Sequence, residues 1–112
     1  MDIHEVLENC KIFALRIIVL HKYLIDHKNE HIMSARLLES ATTTGLHVRE
    51  LAREQPKADL NAALRAADES AYWLELLYGS NYLDKEQFGI IYPECSAIFF
   101  QLMALSRTPK KK

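Results

Sequence analysis

The stretch LLESATTTGLHVREL, residues 37–51, decides the fold. Three threonines and a glycine interrupt a run that is otherwise helical in character. Read as a loop, they divide it into two short helices; read as helix, they give one long helix a thin side that a neighbour can approach. Leu38, Ala41, Gly45, Val48 and Ala52 keep helical spacing straight through the threonines. A glycine costs a helix about 1 kcal/mol against alanine and a threonine less, and no proline or Asn-Gly turn intervenes. The stretch is therefore predicted as part of one helix over residues 30–53, with Ser40, Ala41, Thr44 and Gly45 as a strip of small residues.

Working outward, the same periodicity yields three more helices. Before it, Val6, Cys10, Phe13, Ile17, Leu20 and Leu24 alternate spacings of four and three, predicting a helix over 5–27 with a seam for a neighbour. Asn29 is read as the N-cap of the helix that follows. After it, Gln55-Pro56 stops the chain, since proline disfavours helix in the residue before it and suits a first helical position. The third helix is placed over 56–78, with Leu60, Leu64, Ala67, Ala71, Leu74 and Tyr78 as its seam and Gly79 as the C′ residue. Asp84 and Gln87 resemble a capping box, with Leu83 and Phe88 placed as a hydrophobic staple. Phe88, Ile91, Cys95, Ile98, Leu102 and Leu105 then continue in phase across Pro93, which predicts a kink near Gly89 and not a break. Four helices with short connections give an all-α, antiparallel up-down-up-down four-helix bundle over residues 1–106, followed by a basic flexible tail over 107–112.

Composition bounds the function. At 112 residues the chain is one domain with room for one core, and three glycines and three prolines leave few turns for a β fold. The net charge of −1 hides an asymmetry: without Arg107 and Lys110 to Lys112, 10 basic residues face 15 acidic ones. The first residues carry Asp2, Glu5 and Glu8 and no apolar core, so they do not read as a signal peptide. No uninterrupted apolar run approaches the roughly 18 residues of a membrane span. Cys10 and Cys95 both fall on apolar seams and read as buried free thiols. Together these point to a cytoplasmic protein that does not enter membranes.

The fourth helix carries more apolar surface than one bundle needs. Ile90, Tyr92, Phe99, Phe100 and Met103 form a second stripe, which predicts self-association with Tyr92, Phe99 and Met103 as contacts.

The pieces SATTTGLHVRE, PKADLNAALRAADESAYWLELL and NYLDKEQF, in this order, resemble the four-helix bundle proteins encoded by intervening sequences in bacterial large-subunit ribosomal RNA genes. The likeness extends over almost the whole chain. It implies an antiparallel four-helix bundle, assembled as a homopentameric ring. A related branch is the accessory proteins of diversity-generating retroelements, which bind nucleic acid and a reverse transcriptase through basic surfaces. The ribosomal-protein label sometimes attached to the family does not establish a place in the ribosome. Two positions depart from the family pattern: His47 stands where asparagine is common, and Arg49 where an acidic residue is common.

No catalytic signature emerges, so the protein is not expected to be an enzyme or to carry a cofactor or metal. His27 and His31 are four apart but straddle Asn29 and lack the HExxH pattern. His47 reads as a hydrogen-bonded interhelical histidine. Glu69, one turn before Trp73, is expected to pair with Arg36 and fix the register of helices two and three. The expected function is a non-enzymatic oligomeric scaffold that binds RNA, DNA or a nucleic-acid enzyme. Arg36, Arg49, Arg53, Lys110, Lys111 and Lys112 are the candidate phosphate contacts. The alternative is a protein–protein interaction module that touches no nucleic acid.

Overall fold

Each of the four predicted periodic segments forms a helix in the computed structural model, which describes residues 2–107. They are α1 (Ile3–Lys28), α2 (Met33–Ala52), α3 (Leu60–Gly79) and α4 (Lys85–Ser106), with no strand among the described residues. The fold is all-α. Helix α1 packs on α2 and α4, and α3 packs on the same two, while the backbones of the diagonal pairs stay farther apart. The result is an elongated body of 51 × 22 × 18 Å. Lys110, Lys111 and Lys112 lie outside the described residues.

Helix α2 runs unbroken through Thr42-Thr43-Thr44-Gly45. Its hydroxyls are satisfied locally: Thr42 Oγ1 donates to the Leu38 carbonyl at 2.8 Å and Thr44 Oγ1 to that of Ser40 at 2.7 Å. That removes most of the cost of burying Thr44 beside Ser40 and Ala41. Ser40 Oγ also meets Ser70 Oγ of α3 at 2.8 Å, a buried polar link between the two helices. The buried face differs from the predicted seam by one column. Leu37 and Ser40 are buried and Leu38 and Gly45 only half so, because α2 turns its face midway between α1 and α3. Gly45 is not a forced close approach either, since a Cβ there would lie 3.6 Å from Cys10 Cβ, an ordinary contact.

On α1 all six seam residues are buried as expected. On α4 the buried set is Ile91, Cys95, Ile98 and Leu102, with Phe88 and Leu105 packed at its ends. On α3, Tyr78 is exposed and Leu77 takes its place in the core.

Helix ends account for most of the other differences. Asn29 does not cap α2; it ends α1 in the left-handed conformation (φ 53°). The cap of α2 is supplied by Glu30, whose carboxylate accepts from the amides of Ile32, Met33 and Ser34 at 2.8–2.9 Å. Proline 56 does not open α3, which begins four residues later because the Asp59 side chain accepts from the Asn61 amide at 2.9 Å. Gly79 is the last residue of α3 and not its C′; the left-handed residue is Asn81 (φ 69°), and Tyr82 N–H closes the end on the Leu77 carbonyl at 2.9 Å. The α4 capping box is present in both directions, Gln87 N–H to Asp84 Oδ1 at 2.7 Å and Asp84 N–H to Gln87 Oε1 at 2.9 Å. Helix α4 continues through Pro93.

Candidate functional site

The sequence of α1 carries a stripe that its core seam overshadows. Ile12, Leu15 and Val19, at spacings of three and four, lie outside the core seam and are 48–69% exposed. Ile90 of α4, 52% exposed, stands across from them. Between the two helices lies an apolar groove of about 590 Å³, with Leu20, Tyr23 and Ile91 on its walls and Arg16 and Gln87 as its polar edge. The α1–α4 contact is the least extensive of the four helix pairs, which is why a groove opens there.

Further along the same seam the chemistry changes. Arg16 Nε donates to Glu94 Oε2 at 2.8 Å, bridging α1 and α4. The second oxygen, Glu94 Oε1, is shielded from solvent and has no hydrogen-bond partner. Beyond it, Asn9 Nδ2 donates to Gln101 Oε1 at 3.2 Å beside a smaller hollow of about 260 Å³. A shielded carboxylate oxygen without a donor is costly, and the Arg16 bridge to Oε2 offsets part of that cost.

Of the residues singled out as self-association contacts, Tyr92 is engaged within the subunit. Tyr92 stacks on Phe88, which stacks on Tyr78, with ring centroids 4.7 and 4.3 Å apart. Its hydroxyl donates to Glu75 Oε2 of α3 at 2.8 Å, and that bond raises the Tyr92 pKa, with burial adding to it. Phe99 and Met103 are half-buried. The most exposed aromatic ring of α4 is Phe100, at 67%, in edge contact with Phe99. Only a stripe of α4 is buried, and it is the one described helix long and apolar enough, by length and composition, to cross a membrane. Counting uninterrupted apolar runs misses it, because Glu94 divides the sequence.

Arg36, Arg49 and Arg53 are all exposed, and none forms an ion pair among the described residues. They do not form one track. At about 100° and 1.5 Å per residue, Arg49 and Arg53 share a face, whereas Arg36 lies about 140° around the axis and some 20 Å away. Glu69 makes no ion pair with Arg36; Trp73 Nε1, one turn on in α3, donates to its Oε2 at 3.2 Å instead. Glu69 is exposed and Trp73 half-buried, so their bond braces the surface of α3 and does not set helix register. His47 is hydrogen-bonded, but to Glu50 of its own helix (Nδ1 to Oε1, 3.2 Å), and not across helices.

One pairing had no signal in the sequence. His21 Nδ1 lies 3.0 Å from Ser34 Oγ, joining the end of α1 to the start of α2. With Glu30 nearby this has the composition of a catalytic triad but not its wiring. The Glu30 carboxylate is spent on backbone amides, and Ser34 Oγ is buried and donates to the Glu30 carbonyl at 3.1 Å. Burial alone would raise the Glu30 pKa; the amides of Ser34, Met33 and Ile32 outweigh it and hold the carboxyl below its ordinary value. Cys10 and Cys95 are free and buried, and burial raises both thiols to about 12. His27 and His31 are exposed, and no cluster of three metal-ligating side chains exists among the described residues.

These features define an all-α, four-helix protein with an apolar groove between α1 and α4. No family model matches the chain, and no curated protein does. Among solved structures, it is similar to a protein of unknown function from the S23 ribosomal protein family of Bacteroides thetaiotaomicron VPI-5482. The two share 36% sequence identity with a TM-score of 0.90, over 96% of this chain and 100% of that one. The chain belongs to the S23 ribosomal protein family.

Proposed function

We propose that the protein is a non-enzymatic, homo-oligomeric scaffold of the cytoplasm, an antiparallel up-down-up-down bundle assembled as a ring of five. On this reading it is one of the proteins encoded by ribosomal RNA intervening sequences, and its ring presents a surface to RNA, DNA or a nucleic-acid enzyme. The observation that carries the assembly is the uncovered apolar stripe Ile12, Leu15, Val19 and Ile90 beside the α1–α4 groove. The antiparallel arrangement is supported by cross-helix contacts in which rising residue numbers meet falling ones. Asn9 meets Gln101 and Arg16 meets Glu94. The non-enzymatic reading is supported by the burial of Ser34, the serine that meets a histidine, and of both thiols, Cys10 and Cys95.

Nucleic-acid contact rests on the resemblance and on Arg36, Arg49 and Arg53, which form no ion pair among the described residues. Binding to a labelled structured RNA across a salt series tests it. Saturable binding that weakens steeply with salt, and falls when the three arginines are replaced by alanine, is the expected result. Absence of binding at low salt would transfer the reading to a protein–protein interaction module, which the excess of acidic residues outside the C-terminal segment already favours.

A further inference from the structure

Charge and aromatic rings are unevenly shared between the two halves of the bundle. Residues 66–106, which hold most of α3 and all of α4, carry six acidic residues against one base, Lys85, and eight of the chain's ten aromatic residues. Such a half repels phosphate and attracts cations. At its centre stands Tyr72 of α3, 55% exposed. Its neighbours on the helix surface, three and four residues away, are Asp68 and Glu69 on one side and Glu75 and Leu76 on the other, all exposed. Two of these carboxylates are held in place by neutral donors. Trp73 Nε1 donates to Glu69 Oε2 at 3.2 Å, and the Tyr92 hydroxyl of α4 donates to Glu75 Oε2 at 2.8 Å. None of the three forms an ion pair among the described residues, and the one cation of α3, Arg65, lies two turns before Tyr72 beside Asp59, 3.9 Å away. The charge of Asp68 and Glu75 is felt inside the bundle. It adds to the hydrogen bond that raises the Tyr92 pKa and to the burial that raises that of Cys95.

An exposed ring among fixed carboxylates that lack a cation fits one occupant best. A guanidinium stacks flat on a tyrosine while its N–H groups reach carboxylates at the edge of the ring; an ammonium, a compact charge without a plane, does the two jobs less well. No three metal-ligating side chains converge among the described residues. We infer that the Tyr72 face of α3 docks an arginine-bearing segment of a protein partner, with one guanidinium stacked on Tyr72 and paired to Asp68 or Glu75. Tyrosine–arginine contacts of this kind are where interfaces concentrate their binding energy. The inference goes beyond the function proposed above. It assigns a surface for a basic protein, on a different helix from Arg36, Arg49 and Arg53, and it stands whether or not RNA binds those arginines.

The test uses the whole chain and its one tryptophan, Trp73, whose ring meets that of Tyr72 at 5.5 Å and so reports on the site. The probe is a blocked peptide with arginine at every fourth position among alanines, followed by Trp73 fluorescence and by the anisotropy of a labelled copy. The expected result is saturable binding, about threefold or more tighter than for the same peptide with lysine at equal ionic strength. Tyr72→Ala, and separately Asp68→Asn with Glu75→Gln, should each weaken it about tenfold with helicity retained. A variant with Arg36, Arg49 and Arg53 all replaced by alanine should bind the peptide as the unaltered protein does, which keeps this result apart from that of the RNA titration. No saturable binding, equal affinity for the two peptides, or unchanged affinity in Tyr72→Ala overturns the inference, the last two by showing diffuse charge attraction alone. A Trp73 change produced by the structured RNA and removed by Tyr72→Ala also overturns it, by making the face a platform for bases.

Discussion

Replacing Gly45 by alanine is expected to stabilise the protein, and the size of the effect follows from the α1–α2 contact. In a helix interior alanine is favoured over glycine by about 1 kcal/mol, in large part because the unfolded chain loses less freedom. The new methyl would sit 3.6 Å from Cys10 Cβ, at ordinary contact distance, so no overpacking penalty offsets that gain. Gly45 is half-buried, which adds a few tenths of a kcal/mol from apolar burial. The net expectation is a stabilisation of about 1 kcal/mol, or a rise in Tm of about 4 °C for a domain of this size. Urea denaturation followed by helical circular dichroism reads it, at fixed protein concentration because any assembly makes stability depend on concentration. Gly89→Ala is the control, because nothing lies within 4 Å of the added methyl and only the backbone effect remains. Loss of about 1 kcal/mol or more at Gly45, with a gain at Gly89, would show that α1 and α2 meet more closely there than this packing allows.

Three further outcomes follow from the same geometry. The lowered pKa of Glu30 means its charge stabilises the fold fully above the ordinary glutamate value of 4.5, and that contribution is lost as the pH falls through the folded value. Glu30→Gln should therefore cost about 1–2 kcal/mol at neutral pH and progressively less under acid, in paired denaturation curves; a constant difference across pH would refute the assignment. Ser70→Ala should cost about 1 kcal/mol, and adding Ser40→Ala should cost less than its separate effect, because the hydroxyl–hydroxyl bond is lost only once; strict additivity would show that the pair does not interact. Neither cysteine should react with an aromatic disulfide reagent at pH 8 until denaturant is added, since burial raises both thiols to about 12. Prompt labelling of the native protein would show that the core opens.

The long-range periodicities were readable because each helix buries one stripe against two neighbours, and apolar spacing records that directly. The α1 seam, Val6 to Leu24, is the clearest case. The helix ends were less legible because several residues compete for each role. Asn29, Glu30 and the residues after them could all begin α2, and the winner was a glutamate that reaches three amides from a buried position. Asparagine then took the left-handed place expected of glycine at the end of α3. The groove was half-written in the sequence: Ile12, Leu15 and Val19 are regularly spaced, but only the packing of α4 shows that they border an opening. Glu94 carried no signal at all, since an oxygen without a donor is a property of position and not of sequence.

We propose above that further copies of the same chain cover the exposed seam. The mass of the unaltered protein in solution, by light scattering with size separation, addresses it most directly. About five times the 12.9 kDa subunit is expected, with a fall to a single subunit when Leu15 and Val19 are both replaced by glutamate with helicity retained. A mass of 12.9 kDa for the unaltered protein across the micromolar range would contradict it.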